Sequence, residues 1–220
     1  NMGSAVAGML KQGGYDVITC LTGRSDFTRN KAADAGMRDV ATLEDLAGEA
    51  DLVLSILDPG KAVAIAHEIA AAMARTESTP VFADCNATSP RTAMELQGII
   101  EGAGAVFIDV GIIGAAPKPG NFPSFCTSGP DAAVLDELDG KGVEILNIGP
   151  EIGQGSAIKI CNGAWNKGAF ALYTAGMTAA EHYGFTEHLR GRLPGSQAGT
   201  VDLIDQAITR LPTLSGRYIG

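Results

Sequence analysis

The sequence predicts an α/β protein: a Rossmann-type parallel-sheet domain over residues 1–150, then an all-helical segment over 151–220 built on one long inter-domain helix. Three observations carry this. From Met2 to about Ile148, short β-branched runs alternate with amphipathic segments, the mark of strands joined by crossover helices. The run Asp51–Leu57 is apolar on both faces, as an internal strand covered by helices should be. At Gly149-Pro150 the alternation stops, and Ile158, Trp165, Leu172 and Met177 recur at near-helical spacing in a stretch free of proline.

The elements follow in order. Amphipathic segments predict helices at 2–12, 28–36, 43–49, 60–75, 89–103 and 130–139. Between them, β-branched runs predict strands at 16–21, 51–57, 81–84, 105–108, 124–127 and 143–146. Gly13-Gly14, Gly36, Pro59-Gly60, Gly102 with Gly104, and Gly140 with Gly142 supply the turns. The segment from Gly155 to Gly184 reads as one helix of roughly 28 residues, about 42 Å long. Its apolar stripe exceeds what a short tail can cover, so a homodimer is expected. Further helical signal lies at 200–211, before the ending Tyr218-Ile219-Gly220.

Composition excludes several classes of function. Glycine supplies 29 of 220 residues without a collagen period, and 45% of residues are hydrophobic, enough to bury a core. The formal charge is -9, with 16 scattered Lys and Arg. Nucleic acid and anionic membrane surfaces, which need a basic footprint, are not expected partners. Cys20, Cys85, Cys126 and Cys161 match no zinc or redox spacing and read as buried free thiols in a reducing, cytoplasmic compartment. His67, His182 and His188 have no companions at ligand spacing, so no metal site is expected.

Two stretches carry chemistry. Asn1-Met2-Gly3, running into Ser4–Leu10, looks like the close of a G-x-G-x-x-G fingerprint, with pyrophosphate on the helix N-terminus and Gly3 where a side chain would obstruct helix–strand packing. The first strand and two earlier glycines of such a fingerprint are missing, so the sequence is expected to be incomplete upstream. The next strand ends Leu21-Thr22-Gly23-Arg24-Ser25, with no carboxylate for ribose hydroxyls. Arg24 and Ser25 suit a 2′-phosphate, favouring NADP over NAD. Farther on, Gly153-Gln154-Gly155 opens the long helix, and Lys159, Asn162 and Asn166 fall on one helical face of a stretch apolar enough to be core. Burial lowers a lysine pKa toward the range an acid or base needs. Asp84 and Asp109 are expected at strand ends, as catalytic groups or as caps.

These residues resemble the β-hydroxyacid dehydrogenases, the family of 3-hydroxyisobutyrate and 6-phosphogluconate dehydrogenases. Asn1-Met2-Gly3 is similar to the end of their cofactor fingerprint. Asp84-Cys85-Asn86-Ala87-Thr88-Ser89-Pro90 is similar to their Asp-x-Ser-Thr-x-x-Pro loop. Gly153 to Asn162 is similar to their Gly-x-Gly-x-x-x-Lys-x-x-Asn helix. The likeness covers about 1–185, and the shorter tail resembles a branch with a compact helical C-terminal domain.

The resemblance implies an NAD(P)-dependent oxidoreductase acting on a small-molecule substrate. Lys159 would be the general acid/base, and Asn162 would bond the substrate oxygen or carboxylate. Asn86 would contact nicotinamide and substrate, and Leu57-Asp58-Pro59 would run under the cofactor. Asn1, Met2, Gly3, Arg24 and Ser25 complete the cofactor set. Gly114, Asn86, Asn162 and Asn166 would line the substrate pocket between the domains. Where the family commonly has a Ser-Gly-Gly loop, this chain reads Ile113-Gly114-Ala115, which removes a hydroxyl donor and points to a bulkier or less acidic substrate. No basic cluster marks a phosphate site, so 6-phosphogluconate is not the expected substrate. Imine or semialdehyde reduction, or NADP binding without catalysis, are the alternatives.

Overall fold

The computed structural model describes residues 2–196, in two compact units that divide between Cys161 and Asn162. Asn1, the helical signal at 200–211 and the ending at Gly220 lie outside the described residues.

The first unit opens with α1 (Met2–Gln12), which buries Val6, Ala7 and Leu10 at helical spacing. Strand β1 (Ile18–Cys20) leads to α2 (Asp26–Asp34), where the Ser25 hydroxyl accepts the Thr28 N–H as N-cap. Strand β2 (Arg38–Val40) is a strand that hydrophobic patterning passes over, because Arg38 and Asp39 are exposed and only Val40 is buried. A reciprocal Thr42–Asp45 capping box then starts α3 (Leu43–Glu49). Next come β3 (Leu52–Ser55), a 3-10 turn at Pro59–Lys61, and α4 (Ala62–Thr76). Strand β4 (Val81–Asp84) and α5 (Pro90–Gly102) complete the βαβ pattern. Then β5 (Phe107–Ile113), β6 (Ser124–Ser128) and β7 (Glu144–Gly149) lead into α6 (Gln154–His182).

Four expectations need correction. The strand expected to stop at Ile108 runs on to Ile113, through Gly111, whose small size is required by the helix that crosses it. The helix expected at 130–139 is a 3-10 segment, Ala132–Leu138, between Gly129 and Gly140, both at positive φ. The sheet is not wholly parallel: β6 runs antiparallel to β5. The link over 114–123 holds no helix, and without a crossover helix the chain can only double back. Last, β3 is not internal among the described residues. It lies at one end of the order β3-β4-β5-β6-β7, because β1 and β2 pair with each other in a separate parallel sheet.

Side-chain alternation builds a core on each face of the larger sheet. Phe82 and Phe107, stacked at 6.2 Å, point to the cluster with Ala66, Ile69 and Met73 of α4 and Leu96 and Ile100 of α5. Their neighbours Ala83 and Ile108 point the other way, to Val6 and Leu10 of α1 and Leu135 and Leu138 of the 3-10 segment. Helices therefore cover both faces, as the sequence predicts.

The second unit contains the rest of α6 and α7 (Thr186–Ser196). At 29 residues, α6 matches the expected length. The expectation that this stretch is core is not met, since Trp165 is 81% and Leu172 70% exposed and no apolar surface among the described residues covers them. Among the described residues no helix is long and apolar enough to cross a membrane, and no cluster of metal-ligating side chains occurs.

Candidate active site

The start of α6 is seated on the sheet by two glycines. A β-carbon added at Gly111 would fall 2.0 Å from the Gly155 carbonyl oxygen and 3.1 Å from Lys159 Cβ. One added at Gly155 would fall 2.5 Å from the Cys126 carbonyl and 2.8 Å from that of Asp109. The Gly-x-Gly spacing here serves close approach of helix to strand, rather than phosphate binding.

Asp109 fixes the same helix start. It sits inside β5 rather than at a strand end, fully buried. Its carboxylate accepts the N–H groups of Gly153 (3.0 Å) and Ser156 (2.8 Å), the Ser156 hydroxyl (2.6 Å) and the Ser128 hydroxyl (3.1 Å). Ser128 Oγ in turn accepts the Gly155 N–H at 2.9 Å. A carboxylate at the positive end of a helix, with four donors, offsets its own desolvation. Of the two expected roles, this is the cap. Ser128 and Ser156 are functional neighbours that sequence reasoning missed, although a serine following Gly155 at a helix start was a usable signal.

One turn on, Lys159 is half-buried and donates to the Ile112 carbonyl. Burial pulls its pKa below the usual 10.5, with opposing influence from the Cys85 and Cys126 thiols. Burial pushes both thiols up in turn. All four cysteines are free, but only Cys85 and Cys126 are buried, and Cys161 is exposed, contrary to the expected burial.

The ends of β3 and β4 form a second polar cluster. Asn86 donates to Ser55 Oγ (3.0 Å) and Asp84 Oδ1 (2.5 Å), and its carbonyl accepts the Leu57 N–H (2.6 Å). Thr88 donates to Asp84 Oδ2 at 3.3 Å. Burial lifts the Asp84 carboxyl to about 6 against these hydrogen bonds, with the Asp109 charge adding to the rise. Asp58 caps the following turn by accepting the Gly60 N–H.

Beyond Leu57 lies a cavity of about 640 Å³, lined among others by Thr22, Gly23, Arg24 and Lys61. Neither Arg24 nor Lys61 makes a side-chain hydrogen bond to a described residue, so both cations are available to an anionic ligand. Arg29 is not available: it donates to the carbonyls of Leu21 (2.7 Å) and Arg24 (3.3 Å) and braces the loop from behind. Asp39 steadies the same loop by accepting the Leu21 N–H at 2.9 Å. Lys61 was missed in sequence, where it falls inside the helix expected at 60–75.

The remaining expected residues are placed as follows. Met2 and Gly3 lie in the first turn of α1, and a β-carbon on Gly3 would meet the Ile56 carbonyl at 3.5 Å, an ordinary contact. The expectation that any side chain there would obstruct packing is therefore not met for a methyl group. Ser25 Oγ accepts the Thr28 N–H as N-cap of α2 and lies 3.2 Å from Thr28 Oγ1. Pro59 starts the 3-10 turn. Gly114 follows β5, exposed, at φ 116°. Asn162 and Asn166 belong to the second unit, where Asn166 Nδ2 donates to the carbonyl and side chain of Asn162 at 2.9 and 3.0 Å.

A cavity lined by two cations without a side-chain hydrogen bond to a described residue fits a ligand bearing phosphate. Comparison with known proteins agrees. Human mitochondrial 3-hydroxyisobutyrate dehydrogenase is 28% identical over 168 residues, which are 74% of this chain and 49% of that enzyme. An uncharacterised 28.5 kDa protein of Methanothermus fervidus is 28% identical over 174 residues, 79% of this chain and 65% of its own. The chain thus spans from about half to just under two thirds of these relatives. Among solved structures, a conserved protein described as similar to 3-hydroxyacid dehydrogenases superposes at TM-score 0.76 with 29% identity, over 96% of this chain and 78% of its own. Residues 1–138 match the NAD binding domain of 6-phosphogluconate dehydrogenase, and the chain belongs to that family.

Proposed function

We propose that the chain is an NADP(H)-dependent oxidoreductase that interconverts a hydroxyl and a carbonyl on a small organic substrate, with Lys159 as the acid/base. The nicotinamide supplies or accepts the hydride when bound. In the oxidative direction, neutral Lys159 takes the hydroxyl proton at Nζ as the hydride departs from carbon. In the reductive direction the ammonium returns it. The observation that carries this reading is the state of Lys159: half-buried, with its pKa lowered by desolvation, on a helix start held by Asp109 and two interlocked glycines. Asn162, three residues along α6, is proposed to bond the substrate oxygen.

Arg24 and Lys61 favour NADP through the 2′-phosphate. An imine is the second substrate class, favoured by apolar Ile113 where a hydroxyl would serve a carboxylate. Turnover of an alcohol, aldehyde and imine panel with NADP⁺ and NADPH decides between the classes. Lys159→Met should lower turnover of the best substrate about 100-fold or more while leaving NADPH affinity intact. A loss within threefold would remove Lys159 from the chemistry.

A further inference from the structure

Resting on the reading that this domain binds NADP(H), we propose that Asn86 is a positioning residue, a clasp that locks the Leu57 loop to the ends of β3 and β4, and not a ligand of cofactor or substrate. The amide is 2% exposed, with both of its donors engaged and its oxygen already accepting one N–H. Both N–H bonds of Nδ2 are spent, on Ser55 Oγ and Asp84 Oδ1, and Oδ1 accepts the Leu57 N–H at 2.6 Å. No donor is left for a ligand.

The amide cannot be turned over to release one. Flipped, its carbonyl would face the Asp84 carboxylate and its NH₂ the Leu57 N–H, two repulsions in place of two bonds. The partners are themselves buried: Ser55 and Thr88 at 5% exposure and Asp84 at 1%. Ser55 and Asp84 are register partners across β3 and β4, so the clasp stands on paired strands. Its other end holds Leu57, which lines the 640 Å³ cavity four residues before Lys61, another lining residue. The Asn86 amide thereby sets where the cavity wall lies without facing the cavity.

Exchanging the two polar groups separates positioning from contact. Asn86→Asp sets two carboxylates against each other with no donor between them. In the double exchange Asp84→Asn with Asn86→Asp, the amide at position 84 donates to the carboxylate at 86, which still accepts from Leu57 and Ser55. Two readouts are used at about pH 8: NADPH affinity by fluorescence titration, and hydrogen-exchange protection of the Leu57 amide in the cofactor-free protein. Asn86→Asp should cost about tenfold in affinity and most of the Leu57 protection, as expected for losing a buried hydrogen bond. The double exchange should restore both to within about threefold. Asn86→Ala, which adds no charge, should reproduce the loss if Asn86→Asp does not fold.

Restored Leu57 protection without restored affinity would overturn the proposal, since the amide would then touch the ligand. Unchanged protection in Asn86→Ala would overturn it as well. If the wild type binds neither NADPH nor NADH, the cofactor reading fails, while the exchange measurement still judges the clasp.

Discussion

The two ends of the first unit are built on opposite terms. At the start of α6 the polar groups are held in place: buried Asp109 accepts four donors, buried Ser128 and Ser156 close the circuit, and half-buried Lys159 rests on Ile112. At the Arg24 loop, the interior of the loop is braced by Arg29 and Asp39, while Arg24 and Lys61 stand open to the cavity. On the proposed reading Lys159 must be held in a fixed place, so its support tolerates little slack. The proposed preference for NADP requires only charge at the right place, which an exposed arginine on a braced loop can provide.

If that contrast is right, substitutions at the two ends should fail differently. The largest effect is expected at Gly111→Ala, because its β-carbon would meet the Gly155 backbone and no rotamer can move it away. A loss of about 3 kcal/mol or more in urea denaturation is expected. Gly8→Ala is the control, with nothing closer than 3.9 Å, and should be near neutral. A stable Gly111→Ala variant would break the picture of interlocked glycines.

Next in size is a pH effect at Asp84. Burial raises its pKa from 3.8 to about 6, so between those values the folded chain holds a proton that the unfolded chain has released. Its contribution therefore favours folding at acid pH, and about 3 kcal/mol is lost as pH rises through about 6. Asp84→Asn should flatten that part of the stability profile, measured by urea midpoints at about pH 4.5, 6 and 7.5. The smallest effect belongs to the open end. Arg24→Ala should cut the preference for NADPH over NADH about tenfold by titration, with unchanged thermal stability. A destabilised Arg24→Ala protein would show that the loop leans on Arg24 after all.

The same contrast explains what was legible in sequence. The helices and most strands announced themselves through periodicity, and Lys159 through its place after Gly153 and Gly155. Strand β2 did not, because a three-residue strand with two exposed charged residues carries no hydrophobic signal. The turning back of β6 was hidden for a different reason: strand direction depends on the connection, not on the strand's own residues. The sequence position of Asn86 matches a ligand position and carries no sign of what the amide itself bonds. That its amide is already engaged follows from Ser55 and Leu57, some thirty residues away. Asp109 likewise acquires its cap only from a helix more than forty residues downstream.

The seam between Gly111 and Gly155 also bears on how this protein can change over generations. A side chain at 111 collides with main chain, so no replacement at 155 can compensate, and the pair offers no stepwise path of double substitution. At the end of the same strand the situation reverses for Ile113, which is only partly covered, whereas Gly114 just beyond it holds φ 116° and stays restricted to glycine. Strand β5 is thus divided into a portion closed to mutation, which carries the lysine's support, and a portion open to it. Libraries aimed at new substrates should randomise 113 and 115 and leave 109–111 and Gly114 untouched.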